Sequence, residues 1–202
     1  MPAPLPTVTR ALLVANVIVY GLQWLTGPLL EQFLALWPLS SGQSPGAGHF
    51  QLWQPVTYAF LHGSPQHLFF NMLALYMFGG DVERLLGTRR YAVYYFACVL
   101  GAAAAQLFVM SRAAGPPQAT LGASGGVFGL LLAFGMAFPK RRILLLFPPI
   151  PMPAWLFVTL YGVLELTLGV TGTNDGVAHF AHLGGMAAGF VLLTHWKNAA
   201  RR

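Results

Sequence analysis

The stretch ATLGASGGVFGLLLAFGMAF, residues 119–138, decides the fold. It carries no charge, nor does the longer interval 113–139, which ends at the cluster Lys140, Arg141 and Arg142. A helix needs roughly 20 mainly apolar residues to cross a hydrocarbon core of about 30 Å, so a membrane span is predicted over 123–138. Working outward, the intervals 11–30, 32–80, 91–111, 143–164 and 176–196 are equally free of Asp, Glu, Lys and Arg. They predict further spans over about 8–26, 65–80, 91–110, 154–170 and 177–196. The expectation is an all-α membrane protein, a bundle of six transmembrane helices forming a single domain over 1–202. Composition agrees, because 56% hydrophobic and 8% charged residues in a chain of 202 exclude an ordinary soluble domain. The intervals are also too long for the short alternating strands of a membrane barrel.

The net charge of +6 raises the question of nucleic acid. The basic residues, however, lie in small clusters between apolar runs, which is a topology signal, and no nucleic-acid partner is expected. With six spans, Arg10, Arg84, Arg89, Arg90, Lys140, Arg141, Arg142, Lys197, Arg201 and Arg202 fall on one side and only Arg112 on the other. The positive-inside rule then places both termini in the cytoplasm, with a bacterial inner membrane as the simplest location. The first segment lacks a small-residue cleavage site and reads as a retained span. Cys98, the single cysteine, excludes an internal disulfide and a cysteine zinc cage. Residues 27–64 form a long Pro- and Gly-rich connection carrying Trp37, Phe50 and Trp53, which suits a first loop lying in the outer interface. Pro148, Pro149, Pro151 and Pro153 read as a rigid spacer before the fifth helix.

Polar residues inside spans are functional candidates, since hydrocarbon offers them no partner. Ser124 stands sixteen residues before Lys140, His182 fifteen before Lys197 and His67 fourteen before Asp81. At ~1.5 Å per residue all three lie roughly 21–24 Å from the cytoplasmic face, so three helices bring polar groups to one depth. Asn71 follows His67 at i+4 and projects from the same helix face about one turn deeper. Ser124 begins its helix, where unpaired N–H groups and the dipole favour a developing oxyanion. Taken alone, it reads at least as readily as a serine cap among packing glycines. His182 alone reads more readily as an interhelical hydrogen bonder, by roughly two to one. Gly185 and Gly189, at four-residue spacing, allow a close helix approach, with Gly122, Gly125, Gly126 and Gly129 as partner surface. That approach would bring serine and imidazole together. Glu165 lies in the fifth span with no basic residue obviously placed to meet it, and reads as a protonated, hydrogen-bonded carboxylate. Asp175 falls in the loop beyond, so a Ser/His dyad without a third acid is the economical reading.

Gly122-Ala123-Ser124-Gly125, Ala181-His182-Leu183-Gly184-Gly185-Met186-Ala187-Ala188-Gly189 and His67-Leu68-Phe69-Phe70-Asn71 leading to Phe78-Gly79-Gly80 together resemble the signature segments of rhomboid intramembrane serine proteases. They occur in that family's order, on the second, fourth and sixth spans, and the resemblance covers roughly residues 8–196. It implies a six-helix rhomboid core with Ser124 as nucleophile and His182 as general base. It implies an oxyanion hole of His67, Asn71 and the Ser124 amide, and Phe128 as the aromatic ring on which the imidazole packs. No cofactor or metal is implied. The substrates would be membrane proteins with a helix-destabilised transmembrane segment, cleaved near the outer leaflet with small residues preferred at the cleavage site. One departure stands out: the family's Trp-Arg pair in the first loop appears as Trp53-Gln54, which removes a charge used to anchor that loop.

Two rivals follow from other features. A catalytically inactive rhomboid-like binder of membrane clients is the alternative, although such relatives typically lack the serine or the histidine. A metal transporter or metalloprotease would use His49, His62, His67, His179, His182 and His195. No His-Glu-x-x-His run occurs and carboxylates are scarce, which argues against it.

Overall fold

Charge-free runs become helices because a backbone in hydrocarbon must satisfy its own hydrogen bonds. A computed structural model describes residues 4–39, 48–112, 118–144, 149–172 and 178–201. The chain builds helices α1 (Thr7–Thr26), α2 (Leu29–Leu34), α3 (Gln54–Thr57), α4 (Pro65–Ala74), α5 (Gly80–Leu86), α6 (Thr88–Met110), α7 (Ser124–Ala137), α8 (Ala154–Thr171) and α9 (His179–Ala199). A wider, π-type turn over Leu75–Gly79 joins α4 to α5, so the second predicted span runs on to Leu86. α6 and α9 also extend past the arginines and lysine that bounded their predicted spans. A charge marks where hydrocarbon ends, not where helical hydrogen bonding ends, and long basic side chains reach outward from a continuing helix. Three helices, α1, α6 and α8, are long and apolar enough to cross a membrane, and α7 is a shorter apolar helix. Pro148, Asp175 and the predicted start of the last span at Val177 lie outside the described residues.

The core is organised around α6 and α7. Tyr91, Tyr94, Tyr95, Cys98 and Val99 of α6 are fully buried. Tyr94 donates to the Gly129 carbonyl at 2.7 Å and Tyr58 to the Val99 carbonyl at 2.9 Å, which ties α7 and the first loop to the same helix. At Gly129 an added Cβ would lie 2.3 Å from Cys98 Sγ, so glycine is required by the approach of α6. The start of α1 is capped from a distance: Glu83 Oε2 accepts from the Thr9 amide at 2.7 Å and Oε1 from the Val8 amide at 3.0 Å. A buried carboxylate on unpaired helix N–H groups satisfies both the orphan donors and the dipole.

Two expectations need correcting. The proline run is not merely a spacer: Pro151–Pro153 pairs antiparallel with Arg142–Leu144, adding a small ribbon to a helical protein. Ala154 donates its amide to the Arg141 carbonyl at 2.8 Å. Bonded pairs alternate along an antiparallel ladder, so Pro151 and Pro153 fall where no N–H is needed. The first loop is also anchored without an arginine. Gln54 is fully buried, donates to the carbonyls of His49 at 2.9 Å and Phe33 at 3.3 Å, and accepts from the Trp37 amide at 3.2 Å. A neutral amide with both donors and an acceptor in use holds the loop by geometry instead of charge.

Candidate active site

α7 begins at the serine. Ala123 is its N-cap, with no side-chain cap, so the Ser124 hydroxyl is not consumed in capping the helix. Gly122 precedes it at φ 132°, a conformation that favours glycine. An added Cβ there would meet the His67 ring at 2.7 Å and stand 3.6 Å from Ser124 Oγ. The missing side chain therefore lets the α4 histidine approach the nucleophile candidate.

α9 supplies the partner. His182 Nε2 lies 2.8 Å from Ser124 Oγ, and its ring stacks on Phe128 with centroids 4.3 Å apart and planes at 7°. The helices meet at backbone contact, since a Cβ on Gly185 would sit 2.1 Å from the Gly125 carbonyl oxygen. The other predicted packing glycines divide differently. Gly189 faces Tyr94 and Cys98 of α6, Gly126 faces Tyr95, and Gly129 faces Cys98. The stripe read as one α7–α9 seam is thus shared between two seams, because α6 packs against both helices.

The reading that no basic residue meets Glu165 is overturned. Glu165 Oε2 lies 2.8 Å from His182 Nδ1 and 2.7 Å from His179 Nδ1, and all three residues are buried. The acid thought absent is therefore present in the chain of contacts from Ser124. The same donor atoms of Glu165, His179 and His182 lie within 4.8 Å of one another, a grouping that could hold a metal ion. Two of the separations, however, are those of hydrogen bonds, whereas ligands at about 2.0–2.1 Å from a tetrahedral zinc stand roughly 3.3 Å apart. Hydrogen bonding accounts for the arrangement.

The opposite wall is looser. Asn71 is buried and donates its side-chain amide to the His67 carbonyl at 3.0 Å, one turn back in its own helix. The His67 amide is capped by Ser64 Oγ at 3.1 Å. The His67 ring meets His62 edge-on at 5.0 Å and has no hydrogen-bonding partner among the described residues. His62 is itself buried with both ring nitrogens unpartnered. Its backbone is clamped by Gln23, which accepts from the His62 amide at 2.9 Å and donates to its carbonyl at 3.3 Å. Burial first, and the neighbouring His67 second, push the His62 imidazole down to about 4 from its usual 6.5. His195 is exposed at the far end of α9, and His49 lends only its carbonyl to Gln54.

The arrangement suits acyl transfer: a hydroxyl at a helix N-terminus, a base on it, a carboxylate behind the base and amide and imidazole donors opposite. Comparison with known proteins points the same way. Residues 49–196 match the description of the rhomboid domain. The chain is 27% identical over 203 residues to proteins named rhomboid protease GlpG from Yersinia pestis strain Pestoides F and from Yersinia pseudotuberculosis serotype O:3. Each alignment takes in 96% of this chain and 64% of the relative, so the chain spans just under two thirds of those proteins. It is 35% identical over 135 residues to rhomboid protein 1, mitochondrial, of Saccharomyces cerevisiae, covering 65% of this chain and 38% of that one.

Proposed function

The chain belongs to the rhomboid family, and from that premise we propose that it is an intramembrane serine endopeptidase that cleaves transmembrane segments of membrane proteins near the outer leaflet. The observation that carries this reading is the 2.8 Å contact between His182 Nε2 and Ser124 Oγ. In the proposed reaction Ser124 Oγ bonds to the scissile carbonyl carbon while His182 Nε2 takes the hydroxyl proton. The carbonyl oxygen becomes an oxyanion, met by the Ser124 amide and by donors from His67 and Asn71. The C–N bond then breaks, the imidazolium returns its proton to the departing amine, and water hydrolyses the ester on Ser124. A substrate helix must unwind first, since only extended backbone presents its carbonyl to the hydroxyl. This favours substrates with helix-destabilising residues beside small ones.

The protein is an integral membrane protein, and six spans with both termini in the cytoplasm of a bacterial cell form part of the same proposal. Ionic contacts support the orientation. Asp81 pairs with Arg84 at 3.2 Å and with Arg141, Arg84 reaches the Pro4 carbonyl at 3.1 Å, and Arg90 stands 5.9 Å over the Trp196 ring. Arginines at the ends of α5 and α6 thus meet residues near both ends of the chain, and Arg141 beyond α7 joins α5 through Asp81. No observation favours the inactive client binder, because Ser124 and His182 are both present and in contact.

Purified protein incubated with a transmembrane substrate tests the proposal. Cleavage by the parent, none by Ser124→Ala and indifference to chelators are expected. Binding without cleavage by the parent would replace the protease with the escort.

A further inference from the structure

Glu165 enters the hydrocarbon-facing part of the protein as a carboxylate that the Ser/His reading does not use. It is buried, and its Oε2 atom faces two imidazole nitrogens, His182 Nδ1 at 2.8 Å and His179 Nδ1 at 2.7 Å. Neither histidine can donate from Nδ1 unless that nitrogen carries its proton. With Glu165 ionised and both imidazoles neutral, two N–H groups donate to one carboxylate oxygen. His182 Nε2 is then left with its lone pair, and that lone pair points at the Ser124 hydroxyl 2.8 Å away. A protonated Glu165 gives the opposite result at either histidine. If it donates to His182 Nδ1, the ring proton moves to Nε2, which then faces Ser124 as a donor and cannot take a proton. With the carboxylate ionised and both imidazoles neutral, the contacts therefore leave His182 one tautomer, and it is the one a general base requires.

We propose that Glu165 is a positioning residue that fixes the Nδ1–H tautomer of His182 and stabilises the imidazolium formed when Ser124 attacks, with His179 as the second donor that keeps the carboxylate ionised. This rests on the Ser124–His182 reading above. During attack the Ser124 proton moves to His182 Nε2, and the Nδ1 proton stays on His182, hydrogen-bonded to Glu165. No proton passes to the carboxylate. Orientation of the ring itself is shared with Phe128, whose parallel stack limits tilt but leaves the tautomer and the rotation about the ring normal unspecified. Those are the freedoms that Glu165 removes. His179 Nε2 is buried without a hydrogen-bonding partner among the described residues, which suits an imidazole whose only proton is on Nδ1 and committed to Glu165.

The test uses purified full-length protein with a fluorogenic transmembrane substrate, and ¹⁵N-histidine spectra in the same micelles. In Glu165→Gln the amide NH₂ can donate to Nδ1 and drive the ring proton to Nε2. The expected result is a fall in kcat of about 10²-fold or more with KM changed by less than about threefold, short of the ~10⁴-fold seen when the acid of a soluble triad becomes an amide because Phe128 still holds the ring. The His182 resonances, identified by their loss in His182→Gln, should read Nδ1–H in the parent and shift toward Nε2–H in Glu165→Gln. A folded Glu165→Gln that keeps parental kcat and tautomer overturns the inference and reduces Glu165 to a helix-packing contact. Should that variant fail to fold, the parent spectrum decides, and a parent His182 protonated on Nε2 overturns it. Failure of the parent's Ser124 to react with a fluorophosphonate would instead overturn the nucleophile assignment itself.

Discussion

On one side of Ser124 the polar groups are linked: Ser124 Oγ, His182 Nε2, His182 Nδ1 and Glu165 Oε2 form an unbroken line of contacts at 2.8 Å, and Phe128 stacks beneath the ring. On the other side the donors are turned inward or idle, with Asn71 bonded to its own helix and the His67 ring edge-on to His62 without a hydrogen-bonding partner among the described residues. The difference has a physical source. The base side is built where α7 and α9 meet at backbone contact through Gly125 and Gly185, so its side chains have few alternatives. The oxyanion side is built from α4, which reaches α7 through the small contact at Gly122 and is half exposed. A group whose partner exists only during the reaction has no reason to be held in its final geometry beforehand. On the proposed reading, the nucleophile side is preassembled and the oxyanion side completes itself on substrate.

The sharpest way to break this contrast is to remove the preassembled side. Ser124→Ala and His182→Ala should each abolish cleavage, a loss of ~10⁴-fold or more, because each supplies an irreplaceable group. A fluorophosphonate should label Ser124 and none of Ser40, Ser41, Ser44, Ser64 or Ser111 when the modified peptide is read by mass spectrometry; the first three of these lie outside the described residues. A label elsewhere would move the site.

Removing a donor from the looser side should cost less and leave the serine reactive. Asn71→Ala is expected to lower turnover on the order of 10²-fold to 10³-fold, the loss of one oxyanion donor, with serine labelling largely retained. Its side chain must first leave the His67 carbonyl to serve a substrate, which places it toward the lower end of that range. His67→Ala should act in the same direction. Turnover unchanged in folded Asn71→Ala would leave that wall with no catalytic part to play.

How far these two sides could be read from sequence differs in the same way. Ser124, His182 and His67 share a depth that residue counting alone gives, since the rise per residue and the charged helix ends are both fixed. The helices themselves were legible from the charge-free intervals. Glu165 was misread because the count was made from charges, and α8 has none at its inner end. The signal was nevertheless there: α8 and α9 are an antiparallel pair about the 172–178 connection, which sets residue 165 opposite the first two turns of α9. The division of the packing glycines between two seams was not legible, because spacing says that a helix face is small but not which of two neighbours fills it. How the first loop is held was not legible for a different reason: residue type alone does not show that a buried amide finds three partners.

His179 separates the two halves of the preassembled side. It shares Glu165 with His182 but has its ring centroid 6.4 Å from that of His182 and makes no contact with Ser124 among the described residues. His179→Ala should therefore keep a substantial fraction of activity, within about tenfold of the parent, which is the scale of losing one supporting hydrogen bond. Activity lost in His179→Ala and kept in His182→Ala would reverse the assignment of the base.

The smallest effect concerns His62, behind the looser wall, and it is a matter of stability. His62 is buried, its ring nitrogens make no geometrically defined hydrogen bond among the described residues, and its pKa falls from 6.5 to about 4, chiefly through burial and secondarily through His67, with the nearby Phe60 carbonyl opposing. The unfolded chain binds a proton at this site below pH 6.5, while the folded protein does not until about pH 4. Stability from this group is thus intact above pH 6.5 and is lost as pH falls through the window between 6.5 and about 4. The full loss is on the order of 3 kcal/mol, from 1.36 kcal/mol per pKa unit. His62→Leu removes the titration while roughly conserving volume. The parent should lose more thermal stability than His62→Leu between pH 7.5 and pH 4.5 in the same detergent, and comparing the two cancels every other titrating group. Equal losses would mean that His62 can take up its proton without opening the fold. The wall carrying His67 would then be loose enough to admit water even without substrate, and the contrast between the two sides would be wider than the hydrogen bonds alone indicate.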